Sequence, residues 1–162
     1  MENNFIINLQ KSPKFIFKLM NLISLPFSIN FYPLIIAILY YENIIDTNQL
    51  YLILIGNVIC GLVKNIIKRN RPYVQSNEIL NYEKRYLDSY SFPSMHTFNA
   101  FLLFYILRSN GVINNYYKII PYSIAISRIF LGVHYPTDVI IGAILAKVVF
   151  SIFVNNNINI AV

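Results

Sequence analysis

The sequence predicts an all-α fold: a multi-pass transmembrane helix bundle of about five spans, preceded by an interfacial N-terminal helix. Two observations carry that reading. Hydrophobic residues make up 56% of the 162-residue chain and charged residues only 12%, far below the roughly one quarter found in a soluble domain. The apolar residues also gather in long runs such as LYLILIGNVICGLVKNII, approaching the roughly 20 residues that cross a bilayer. The length suits one domain, residues 1–162, with an interfacial segment over 1–25 and a functional core over 28–153.

The elements follow in order. NFIINLQKSPKFIFKLMNLIS sets Lys11, Lys14 and Lys18 among Ile and Phe at helical spacing, the pattern of a helix lying in the membrane interface rather than across it. FSINFYPLIIAILYY comes after Pro26 and closes in the polar loop ENIIDTNQ. LYLILIGNVICGLVKNII is long enough to span and carries Lys64 at its far end. A polar loop over residues 68–91 holds most of the remaining charge. Then come MHTFNAFLLFYIL, the turn RSNGVINN, YYKIIPYSIAISRIFLGV and TDVIIGAILAKVVFSIFV. Lys147 in the last run either snorkels to one face or points into the bundle. Cys60, the one cysteine, has no internal partner and reads as a small buried hydrophobe. No signal peptide is expected, because Asn, Gln, Lys and Pro interrupt the first twenty residues.

A net charge of +6 and an isoelectric point near 9.4 suit nucleic acid, an anionic membrane or an anionic substrate. A soluble nucleic-acid module would not contain apolar runs this long, so nucleic acid is excluded as a partner and an anionic lipid or substrate is favoured.

Three constellations carry the candidate chemistry. In KNIIKRNRP, Lys64 and Arg71 are seven positions apart, two helical turns, so a continuing helix would set both on one face. Alone, this cluster reads equally as the basic flank of a span, and Lys68 and Arg69 are left in that role. In SFPSMHTF, Pro93 and Ser94 mark a helix start, whose free N–H groups and dipole attract an anion. His96, one turn in, would face the same spot and could donate a proton, since a free imidazole titrates near neutral pH. In SRIFLGVHYPTD, the carboxylate of Asp138 lies four residues after His134, where it can hold one imidazole nitrogen and leave the other free to attack. Arg128 offers a planar fork for two phosphate oxygens. Counting crossings puts all three groups on one membrane face. Cations, a helix N-terminus and two imidazoles suit phosphoryl transfer, where positioning and charge stabilisation do most of the work. No carboxylate cluster suggests a catalytic metal, so neither metal nor cofactor is expected and nitrogen is the nucleophile.

KNIIKRNRP, PSMH and SRIFLGVHYPTD match, in order and spacing, a three-part pattern. It is Lys, six residues, Arg-Pro; then Pro-Ser-Gly-His; then Ser-Arg, five residues, His, three residues, Asp. On these motifs the chain resembles the type 2 phosphatidic acid phosphatases, lipid-phosphate phosphatases whose pocket is shared with vanadium haloperoxidases, over about residues 28–153. The resemblance implies a membrane enzyme acting on a lipid phosphate or diphosphate, with its site on the extracytoplasmic or lumenal face. It gives His134 the role of nucleophile, forming a phosphohistidine, and Asp138 that of its orienting partner. His96 becomes the acid that protonates the leaving alkoxide. Lys64, Arg71, Ser94 and Arg128 become the phosphate cradle, with Pro72 and Ser127 structural. Met95 departs from the family glycine and is expected to narrow substrate access, unless the position needs glycine's backbone freedom. Transfer of the phosphoryl group to another alcohol, and non-catalytic binding or transport of lipid phosphates, stay open as alternatives. Peroxidase chemistry is disfavoured, because the relatives that perform it are soluble.

Overall fold

The computed structural model describes residues 1–83 and 90–158, with the backbone alone for 156–158. All regular structure among these residues is helical. The order is α1 (Glu2–Leu9), α2 (Lys14–Ser24), a 3₁₀ turn (Leu25–Phe27), α3 (Tyr32–Tyr41), α4 (Thr47–Ile67) and α5 (Pro72–Gln75). α6 (Met95–Ser109), a second 3₁₀ turn (Asn115–Lys118), α7 (Ile119–Phe130) and α8 (Pro136–Ile158) complete it. Part of the expected 68–91 loop, residues 84–89, lies outside the described residues.

Two stretches, Thr47–Gln75 and Pro136–Asn155, are long and apolar enough to cross a membrane. Lys14–Phe27 with Tyr32–Tyr41 adds a third if that pair, bent by 46°, counts as one span. α6 and α7, at 15 and 12 residues, fall short of the roughly 20 residues of a regular crossing.

α6 is nonetheless the centre of the molecule and packs against α8, α7 and α4. Phe98, Phe101, Leu102 and Ile106 of α6 meet Leu52, Ile53 and Cys60 of α4 and Val139, Ala146 and Val149 of α8 in one core. Cys60 is buried, as its surroundings in the sequence imply. The opposite faces are apolar and exposed. Ile140, Ile144, Val148 and Ile152 form a row on α8, and Leu54, Val58 and Leu62 another on α4; continuous apolar surface of this kind fits lipid contact. Lys147 is exposed on α8 rather than directed inward.

α4 starts three residues inside the expected polar loop. Asp46 caps it, accepting from Gln49 N–H at 2.7 Å while the Gln49 side chain accepts from Asp46 N–H, a reciprocal cap that satisfies two otherwise orphan donors. The second N-terminal helix has one exposed apolar side. α2 exposes Phe15, Leu19 and Leu22 but packs its other side on α7, burying Phe17 in a stack on Tyr82 at 3.8 Å between ring centroids.

Candidate active site

The helix carrying Lys64 does not continue to Arg71. Lys68 adopts a left-handed conformation (φ 52°) and ends α4, and Arg71 instead precedes α5 as its N-cap. The two cations still converge, because backbone contacts lock the three motifs together. Lys64 Nζ donates to Tyr90 O at 2.7 Å and Pro93 O at 3.0 Å, and Ser91 N–H donates to Arg69 O at 2.8 Å. Arg71 Nη1 donates to Val133 O at 2.9 Å, and Ser94 N–H donates to Asp138 O at 3.0 Å. Each motif is thus hydrogen-bonded to both others.

The turn between α7 and α8 depends on Gly132. Its φ of +73° is strained for other residues, and a Cβ there would lie 2.4 Å from Leu80 O. The turn delivers His134 to a cavity of about 380 Å³ lined by Lys64, Arg71, His96, Arg128 and His134. Met95 lines it too; it is helical, with no positive φ, so the backbone here does not need glycine. A second cavity of about 360 Å³, lined by Lys18, Asn21 and Ser24, shares Ser28, Glu83 and His96 with the first.

His134 is buried. Its Nε2 lies 3.5 Å from Arg71 Nη1 on the cavity side, and its Nδ1 lies 3.6 Å from Asp138 Oδ2. That separation is longer than a hydrogen bond, so Asp138 faces Nδ1 without bonding it, and Nδ1 has no hydrogen-bond partner. Burial, followed by the charges of Arg71, Lys64 and Arg128, holds the His134 imidazole well below its ordinary value of 6.5. The ring is therefore neutral and its Nε2 lone pair available.

Lys64 uses two of its ammonium donors on carbonyls and keeps a third. Arg128, 1% exposed, donates to Ser24 Oγ at 3.0 Å and to Glu83 Oε2 at 2.5 Å. Ser94 and Asp138 are fully buried but do not line the cavity. Ser94 Oγ accepts from Thr97 Oγ1 at 3.0 Å and makes no side-chain cap on α6.

Arg69, left in the sequence as a flanking charge, has a larger place. Its Nη1 donates to Asp138 Oδ1 at 2.7 Å and Thr137 Oγ1 at 2.6 Å, and its Nη2 donates to Glu2 Oε2 at 2.7 Å. The guanidinium also sits 3.8 Å over the Tyr135 ring. Asp138 Oδ2 accepts from Tyr135 N–H at 2.8 Å, so the carboxylate is held on both oxygens. Glu2 in turn accepts from Thr137 N–H and Oγ1, tying α1 to the start of α8. Nothing in the sequence marks Glu2 or Ser24, because the site residues they meet, Arg69 and Arg128, lie more than 60 residues away. Among the described residues no group of three or more His, Cys, Asp or Glu side chains is arranged to hold a metal.

Fold and site together define a helical membrane protein with an anion pocket built from cations and imidazoles at helix ends. A family model described as the PAP2 superfamily matches residues 47–159, and the chain belongs to that family, the type 2 phosphatidic acid phosphatases. The fold is similar to the crystal structure of a transmembrane PAP2-type phosphatidylglycerolphosphate phosphatase from Bacillus subtilis. That likeness has a TM-score of 0.74 and 20% identity over 97% of this chain and 86% of that one. It is also similar to Aquifex aeolicus LpxE, with a TM-score of 0.76 and 21% identity over 94% and 93% of the respective chains. The family match starts at Thr47, whereas these structural likenesses take in the N-terminal helices.

Proposed function

We propose that this chain hydrolyses the terminal phosphate of a lipid mono- or diphosphate at the membrane surface, through a phosphohistidine on His134 and without a metal. The observation that carries the reading is the ring of Lys64, Arg71, Arg128, His96 and His134 around one cavity. The cations bind the phosphate oxygens and neutralise charge as the phosphorus–oxygen bond breaks. Nε2 of His134 attacks phosphorus, since Nδ1 is turned to Asp138. The bond to the lipid oxygen breaks, and His96 gives that oxygen a proton. His96 then takes a proton from water, whose oxygen attacks phosphorus; the nitrogen–phosphorus bond breaks, releasing inorganic phosphate and neutral His134. Asp138 orients the imidazole and balances its charge in the intermediate, and Ser94 fixes the start of α6 beneath the cradle.

The acids near the site support a metal-free reaction, because each already has a cation: Asp138 and Glu2 share Arg69, and Glu83 holds Arg128. Residues 1–162 act as one unit, with α3, α4, α6, α7 and α8 as five crossings, the short α6 and α7 being packed against each other and against α8. The site faces the extracytoplasmic or lumenal side, as the family resemblance implies. The basic cluster would by charge alone favour the cytoplasm, but its cations have a catalytic reason to lie where they do.

The test is phosphate release by purified protein from a panel of lipid phosphates in detergent with excess chelator. Release should persist under chelation and disappear in His134→Ala. Chelator-sensitive turnover, or undiminished release by the variant, contradicts the mechanism.

A further inference from the structure

Ser28 Oγ, Tyr32 Oη and Asn99 Oδ1 are buried with no hydrogen-bond partner, as are His96 Nε2 and His134 Nδ1, and all five residues line the same cavity. The two imidazoles have their explanation in phosphoryl transfer. The other three do not. Each is at most 5% exposed, and a buried polar group without a partner costs about 1–3 kcal/mol. Three such groups at one cavity point to a ligand that pairs them.

Their place follows from the helices. α6 begins at the phosphate cradle, and Asn99 lies one turn beyond His96 on the same face, about 4.5 Å further into the bundle. Ser28 and Tyr32 stand at the entry to α3, with Tyr32 N–H donating to Ser28 O at 2.9 Å. Asn57, two turns before Lys64 on α4, lines the cavity as well. The cavity is therefore cationic at the cradle, neutral and polar beside it, and apolar at Phe27, Ile29 and Pro33.

We propose that Ser28, Tyr32 and Asn99 form a subsite for neutral oxygens between the phosphate and the tail, so that the enzyme prefers glycerolipid phosphates to isoprenyl phosphates and diphosphates. The inference rests on the phosphatase reading. Ester carbonyls accept from the two hydroxyls, and a glycerol hydroxyl donates to the Asn99 oxygen. In an isoprenyl monophosphate, hydrocarbon begins directly after the phosphate and leaves all three groups unpaired; a site built to hydrogen-bond its substrate rejects such an analogue strongly. In an isoprenyl diphosphate, the inner phosphate would bring charge into a layer whose own residues supply no cation, a costly placement.

The experiment compares kcat/KM for phosphate release from phosphatidate, phosphatidylglycerol phosphate, undecaprenyl monophosphate and farnesyl diphosphate in the same mixed micelles. Wild type, Tyr32→Phe and Asn99→Leu are each measured, with melting temperatures as a check on folding. Wild type should favour the glycerolipids by about tenfold or more, and each variant should lose about 5- to 50-fold on them while changing little on the isoprenyl substrates. A greater loss on phosphatidylglycerol phosphate than on phosphatidate assigns the subsite to a free glycerol hydroxyl; a greater loss on phosphatidate assigns it to ester carbonyls, which in phosphatidylglycerol phosphate lie beyond a second phosphate. Preference of wild type for an isoprenyl substrate, or equal losses on both classes, overturns the proposal while leaving the phosphatase reading intact. Release from no substrate overturns that reading and the subsite with it.

Discussion

Asp138 is the residue on which the site turns. Its backbone oxygen fixes the start of α6, one carboxylate oxygen takes Arg69, and the other is held by Tyr135 N–H beside His134. On the proposed mechanism, Arg69 acts on catalysis through Asp138, as a positioning residue. Arg69→Ala should lower kcat roughly 10- to 100-fold with a smaller change in KM, the loss of one charge-assisted bond to a buried acid being worth about 1.5–3 kcal/mol, and Arg69→Lys should recover part of it. Glu2→Gln should matter less, under about fivefold, because that pair is part-exposed. Equal losses in Glu2→Gln and Arg69→Ala would contradict this ranking. The His134 ring adds a pH prediction. Burial and nearby cations disfavour its protonated form, so the inactive imidazolium forms only below the ordinary value. The acid limb of kcat/KM should accordingly lie below pH 6.5, and a limb at or above 6.5 would contradict a neutral, shielded nucleophile. The motif residues were picked out by their spacing together with the family resemblance. Five of them, Lys64, Arg71, His96, Arg128 and His134, line one cavity, although Lys64 and Arg71 meet across a broken helix rather than along a continuous one. Arg69 was not picked out, since its partners are Glu2, Thr137 and Asp138 and only folding joins them.

At the scale of elements, close backbone approach sets the geometry. A Cβ on Gly142 would lie 2.8 Å from Ser94 O, so α8 meets the start of α6 with nothing between them. Gly142→Val should therefore destabilise the protein by about 1–3 kcal/mol and displace the helix start that carries His96. Gly61→Ala, where an added Cβ meets nothing within 4 Å, serves as the control and should be neutral or slightly stabilising, Ala being the better helix former. Thermal unfolding in detergent distinguishes them, and matching melting temperatures would contradict the packing argument. Long apolar helices were legible in the sequence because length and hydropathy alone define them. The break after Ile67 was not, because no glycine or proline stands at Lys68 to announce its left-handed turn. The short α6 was readable as an element beginning after Ser94, but its place at the centre was not, being set by neighbours rather than by its own length.

Across the whole molecule, outward apolar rows on α4 and α8 surround a pocket in which nearly all functional charge is buried. The N-terminal helices belong to that pocket as well. Ser24 holds Arg128, and Asn21 donates to Tyr82 O at 2.9 Å beside Glu83. The amphipathic pattern of α2 could be read from its lysines and aromatics, whereas its share in the site depends on contacts across the chain. What unites these levels is the claim that His134 Nε2 takes the phosphoryl group from the lipid. The most direct measurement is acid-sensitive phosphoenzyme trapping: the protein is mixed briefly with ³²P-labelled lipid phosphate, quenched in alkali, and the labelled peptide is mapped. The account predicts an acid-labile, alkali-stable label on His134 that is absent from His134→Ala and accumulates in variants of His96. A label on another residue, or turnover with no label in any of these proteins, would contradict it.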